Sequence, residues 1–141
     1  MSTGTDRAVE WTIDPDQLQP GDVLLVRSAG ALSDLIAWLS NSAYSHAALL
    51  TDNDELVEAL AGQGVCRVHL EDRLATPSIT RIDVWRNQRL DGPQDQASVL
   101  ACAAGMVGRG YALDQLVLLG LLMLVQDRPT DQPVLRWVAA Q

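Results

Sequence analysis

Two strand-length runs separated by three turn-forming residues constrain this chain more than any other feature: His46–Thr51, then Asp52-Asn53-Asp54, then Glu55–Leu60. The first run is apolar behind its histidine. The second alternates, with Leu56 and Glu58 on one face and Val57 and Ala59 on the other, which is the period-two pattern of a strand. Asn and Asp tolerate the left-handed backbone of a tight reversal, so the pair reads as an antiparallel hairpin. A hairpin alone is marginal in water and needs more strands. Candidates flank it: Asp22–Arg27 behind the turn signals Asp14-Pro15-Asp16 and Gln19-Pro20-Gly21, and Val65–Leu70 behind Gly62-Gln63-Gly64. In Ile79–Arg86 the alternation sets Ile79, Arg81, Asp83 and Trp85 against Thr80, Ile82, Val84 and Arg86.

Helical patterns occupy the rest. After Ser28-Ala29-Gly30, Ser33 is a candidate N-cap for a helix whose apolar stripe is Leu32, Leu35, Ile36 and Leu39, closed by Asn41-Ser42. Glu71–Ala75 is a short helical turn ended by Pro77, and Asp91-Gly92-Pro93 introduces a helix over about Gln94–Met106. Leu113–Val125 is apolar on nearly every side, and Pro133–Ala140 is a last helix behind Arg128-Pro129-Thr130. The sum is an α+β chain, a small antiparallel β-sheet packed against helices. It reads as one domain over residues 1–141, with residues 1–12 flexible.

Composition narrows the function classes. A chain of 141 residues, 48% hydrophobic, forms one globular core. Its net charge is −8, it has no lysine, and its ten arginines form no cluster, so nucleic acid is not an expected partner. The N-terminus lacks the apolar stretch of a signal peptide, and the longest apolar run, Leu116–Val125, is too short to cross a bilayer. Two cysteines, Cys66 and Cys102, do not make a disulfide framework, and a cytoplasmic location is the expectation. Cys66 and His69 are three apart on a strand and face opposite ways, so no metal and no cofactor is expected.

The chemistry centres on the hairpin. His46 stands where the apolar run opens, in Tyr44-Ser45-His46, and Glu58 lies on the returning strand. An imidazole can accept and return a proton near neutral pH. A carboxylate in a mostly apolar strand is costly to bury unless paired. Together they are the base and orienter of a nucleophile–base–orienter device. The bland readings are a structural histidine and a glutamate at the sheet surface. Tyr44 is a candidate substrate-binding residue, or else a rim tyrosine. Asp22 reads as a strand-start residue. Cys102, in the small-residue stretch Leu100–Ala104, is a fallback nucleophile or a packed small hydrophobe.

Gly21-Asp22-Val23-Leu24-Leu25, Tyr44-Ser45-His46, Val57-Glu58-Ala59 and Gly108-Arg109-Gly110-Tyr111 stand in an order that resembles the circularly permuted papain-like cysteine hydrolases. These are NlpC-type enzymes of the YiiX-like branch, related to the lecithin retinol acyltransferase-like proteins. The likeness covers about residues 20–115. It implies that His46 is the general base and Glu58 its orienting group, with Gly108 and Tyr111 matching a loop ahead of the nucleophile-bearing helix. It also implies a thiol that attacks amide, ester or thioester bonds of peptide, cell-wall or lipid acyl substrates. No cysteine follows Tyr111. The expectation is therefore a permuted papain-like domain whose nucleophile segment lies beyond Gln141, with the alternative of a binding module that keeps the fold without the thiol. His46 should then face an incomplete cleft, and the Leu116–Val125 surface should support self-association.

Overall fold

The computed structural model describes residues 15–90 and 92–111. A 3-10 turn at Pro15–Gln17 leads into β1 (Val23–Ser28) and α1 (Ala31–Leu39). Then come β2 (His46–Leu50), β3 (Glu55–Leu60), β4 (Gly64–His69), α2 (Leu70–Leu74), β5 (Ile79–Trp85) and α3 (Pro93–Met106). The strands form one five-stranded sheet in the order β4-β3-β2-β1-β5, every neighbouring pair antiparallel. This is the α+β layout with a small antiparallel sheet. The expected helices over 113–125 and 133–140, and the apolar Leu116–Val125 surface, lie outside the described residues.

Two hairpins carry the chain from β2 to the β4 edge, and the turn chemistry explains both. At Asp52–Asp54 the residues Asn53 and Asp54 take φ values of +61° and +55°, a left-handed backbone that these side chains adopt more readily than most. The Thr51 hydroxyl and amide both donate to the Glu55 carbonyl, at 2.9 and 2.7 Å. From β4 the chain crosses to the far edge of the sheet, where β5 pairs with β1. Helix α2 lies on that crossing, and Leu70 and Leu74 pack it onto the core.

One sheet face holds that core: Leu24 and Val26 of β1, Ala48 and Leu50 of β2, Leu56 of β3 and Ile82 of β5. Leu24 and Leu56 are wholly buried. At about 25 cal/mol per Å² of apolar surface, burying each leucine side chain contributes on the order of 2 kcal/mol. Glu58, between Leu56 and Leu60 on β3, points into this same apolar face.

Two local expectations change. Gly30, at φ +129°, precedes the first turn of α1, and Ser33 sits inside the helix instead of capping it. Its Oγ donates to the Ser28 carbonyl at 2.5 Å and lies 2.5 Å from the Ser45 hydroxyl. It thereby ties the start of α1 to the residue before His46. In β5 the clean alternation is interrupted, because Ile79 is buried together with Ile82 rather than exposed with Arg81. The register with β1 shifts between Arg27 and Ser28, and such an irregularity turns the strand end over.

Candidate active site

The β2–β3 register decides where the histidine meets the glutamate. Ala48 pairs directly with Glu58, so His46, two residues earlier on the same face, sits diagonally across from it, within reach of long side chains. The His46 Nε2 to Glu58 Oε2 distance is 2.5 Å. The Glu58 side chain has no solvent exposure, while that of His46 keeps 21%.

Arg73, on α2, completes the group, and nothing in the sequence singled it out. Its Nε donates to Glu58 Oε1 at 3.1 Å and its Nη2 donates to the same oxygen. Each carboxylate oxygen therefore has its own partner, as a buried charge requires. Burial alone would push the Glu58 carboxyl up. The hydrogen bonds from His46 and Arg73, with the Arg73 charge, outweigh burial and hold it below the ordinary carboxylate range. The available signal was that a buried Glu58 demands a counter-charge. Sequence alone could not say which of ten arginines provides it.

The contact also settles the tautomer of the neutral ring. An ionised carboxylate only accepts, so Nε2 carries the proton and donates to Glu58. Nδ1 is left with its lone pair, free to take a proton. Fixing the second ring nitrogen in this way is how an orienting carboxylate prepares an imidazole base.

His46 lines a cleft of about 370 Å³ with Leu32 and Ile36 of α1, Leu60 of β3, Arg73 and Tyr111. Tyr111 is brought there by a clip between chain segments. The Val65 amide donates to the Arg109 carbonyl and the Gly108 amide to the Val65 carbonyl, both at 2.8 Å. Gly64, at φ +77°, allows this approach, since a side chain there would collide with the Arg109 carbonyl. The Gly108 to Tyr111 loop and the His46–Glu58 pair thus share one site. A larger groove of about 480 Å³ between Arg67, the Asp52–Asn53 turn and α3 has neither histidine nor cysteine in its walls, so the chemistry points to the smaller cleft.

The other candidates lie elsewhere. The Tyr44 hydroxyl donates to the Asp83 carboxylate, on the sheet face opposite His46, and Arg81 sits over its ring at 5.2 Å while holding Asp83 at 2.6 Å. The hydrogen bond with Asp83 raises the Tyr44 pKa and lowers that of Asp83. Tyr44 precedes β2, so the strand's alternation does not carry it to the face of His46. Cys102 is exposed on α3, outside the walls of the cleft. Cys66 lies directly across from Glu58 on β4, half-buried and likewise outside those walls. Asp22 is 1% exposed and accepts from Arg86 at 2.7 Å and from the Gln19 amide at 2.9 Å. Burial opposes its ionisation, but these bonds leave its pKa lowered, the pattern of a structural turn anchor.

Among the described residues no cluster of histidine, cysteine and carboxylate side chains could hold a metal ion, and no helix is long and apolar enough to cross a membrane. No protein-family model matches the chain, and no curated protein matches it.

Proposed function

We propose that this chain carries the base and its orienting group in a cysteine hydrolase or acyltransferase of the permuted papain-like type. The observation that supports it is the His46 Nε2–Glu58 Oε2 contact at 2.5 Å, with Glu58 buried and held from behind by Arg73. In this reading Nδ1 of His46 takes the proton of a cysteine thiol. The thiolate attacks the carbonyl of an amide, ester or thioester, and a carbon–sulfur bond forms. Nδ1–H then protonates the leaving amine, alcohol or thiol. Water, or an acceptor nucleophile, releases the acyl group by the same steps in reverse order. Glu58 favours the imidazolium that forms between the steps, and backbone amides near the thiol hold the oxyanion. The thiol is one that does not line the described cleft walls, with Cys102 the candidate within this chain.

The test is turnover of 4-nitrophenyl butyrate and of an aminoacyl 4-nitroanilide by the full translated polypeptide. His46→Ala should lower kcat/KM by about 10²–10⁴, the range for a general base, and Cys66→Ser should leave it unchanged. Equal turnover in wild type and His46→Ala overturns the assignment. A second reading, a binding module that keeps the fold, is favoured by the position of both cysteines outside the cleft walls. A Cys-Ser-like dipeptide within about one helix and one loop after codon 141 supports the enzyme, and a stop codon there supports the module.

A further inference from the structure

We propose that Arg73 makes the His46 cleft a receptor for an oxyanion, so that the substrate carries a carboxylate or phosphate group beside the bond attacked. This deepens the reading of the cleft as an active site. The guanidinium uses Nε and Nη2 on one oxygen of Glu58, and its Nη1 makes no hydrogen bond among the described residues. No buried side-chain nitrogen or oxygen among them lacks a partner, so Nη1 is open to solvent. Arg73 also forms part of the cleft wall, and its Nη1 keeps two N–H donors for a charge-assisted hydrogen bond to an oxyanion.

The charges agree. The ionisable side chains in the wall are His46, Arg73 and Tyr111, and the wall contains no carboxylate. Glu58, behind it, neutralises one positive charge. Once His46 holds a proton the cluster carries one net positive charge, in a protein whose net charge is −8. A proton that His46 takes from solvent leaves that charge for an anionic group on the substrate to meet, whereas one taken from the thiol is balanced by the thiolate. The remaining wall, Leu32, Ile36 and Leu60, suits an apolar portion of the same molecule.

The test compares three probes on the wild-type protein by NMR, following Tyr111 and the His46 ring: 4-phenylbutyrate, 3-phenylpropyl phosphate and the neutral 4-phenylbutyramide. At low salt at least one anion should bind about tenfold or more tightly than the amide, as a charge-assisted hydrogen bond provides. The tighter of the two identifies the group. Equal affinities, or shifts centred away from the cleft, overturn the proposal. Arg73→Gln should abolish the preference and keep the amide affinity, and a preference that survives overturns it. If that variant does not fold, raising salt on the wild type is the substitute. The preference should shrink through screening, and one indifferent to salt counts against the proposal. These measurements read binding rather than turnover, so they fail independently of the hydrolysis assay.

Discussion

Replacing Arg73 by alanine isolates the interaction on which the candidate site rests. The change leaves Glu58 buried with His46 as its remaining ionisable partner, one oxygen having lost both of its donors. Removing one partner of a buried ion pair costs about 3–5 kcal/mol. The Arg73 side chain is 13% exposed, so water reaches part of the freed carboxylate and the lower end, about 3 kcal/mol, applies. A chain of 141 residues has an unfolding entropy of about 0.3 kcal/mol/K, so Tm should fall by about 10 °C. The loss depends on pH in a defined direction. In the wild type Glu58 titrates below its ordinary value of 4.5. Its ionised form therefore stabilises the fold above that value, and the contribution is lost as pH falls through the lowered folded value. Without Arg73 the burial penalty dominates and the folded pKa climbs. The gap between variant and wild type is then full near neutrality. It narrows as pH falls through the interval between the variant's raised value and the wild type's lowered one. Urea unfolding followed by circular dichroism at about pH 7.5 and pH 4 measures both quantities. The double variant with Glu58→Gln should be more stable than Arg73→Ala alone at the higher pH. A loss below about 1 kcal/mol, the scale of an exposed pair, or a loss equal at both pH values would refute the reasoning.

Gly64→Ala puts a Cβ against the Arg109 carbonyl at a φ of +77°, and left-handed strain plus overpacking should cost about 2–4 kcal/mol. The Gly108–Arg109 clip should open, so amide exchange at Val65 should accelerate, and unchanged protection there would show that the clip does not depend on Gly64. Iodoacetamide at neutral pH should alkylate the exposed Cys102 before the half-buried Cys66, because reactivity follows access and thiolate character. Mass spectrometry of the digest decides the order. Fast labelling of Cys66 that is abolished by His46→Ala would make Cys66 the nucleophile instead.

What the sequence determined by itself is the local part of the structure. The strand-length runs, the Asp52–Asp54 reversal and the period of Glu55–Leu60 leave one way to place Glu58, on the face of Leu56. A turn of three residues then places His46 on the next strand within a side chain's length. Those are short-range constraints, set by backbone sterics and the two-residue period, and they are legible without any partner. The tertiary structure decided the rest. Arg73 reaches Glu58 because the β4 to β5 crossing lays α2 over the core face, a contact between residues fifteen apart in sequence. The pairing of β5 with β1 determines it, and no local pattern reports that. The same pairing aims Tyr44 at Asp83, and the register shift at Arg27 and Ser28 buries Ile79 against its expected alternation. Ser33 resembles a cap in sequence, but a cap differs from a strut only in what lies opposite, here Ser28 and Ser45. Local steric preferences choose the elements. Burial of one apolar face, and the counter-charge that buried Glu58 demands, choose how they meet.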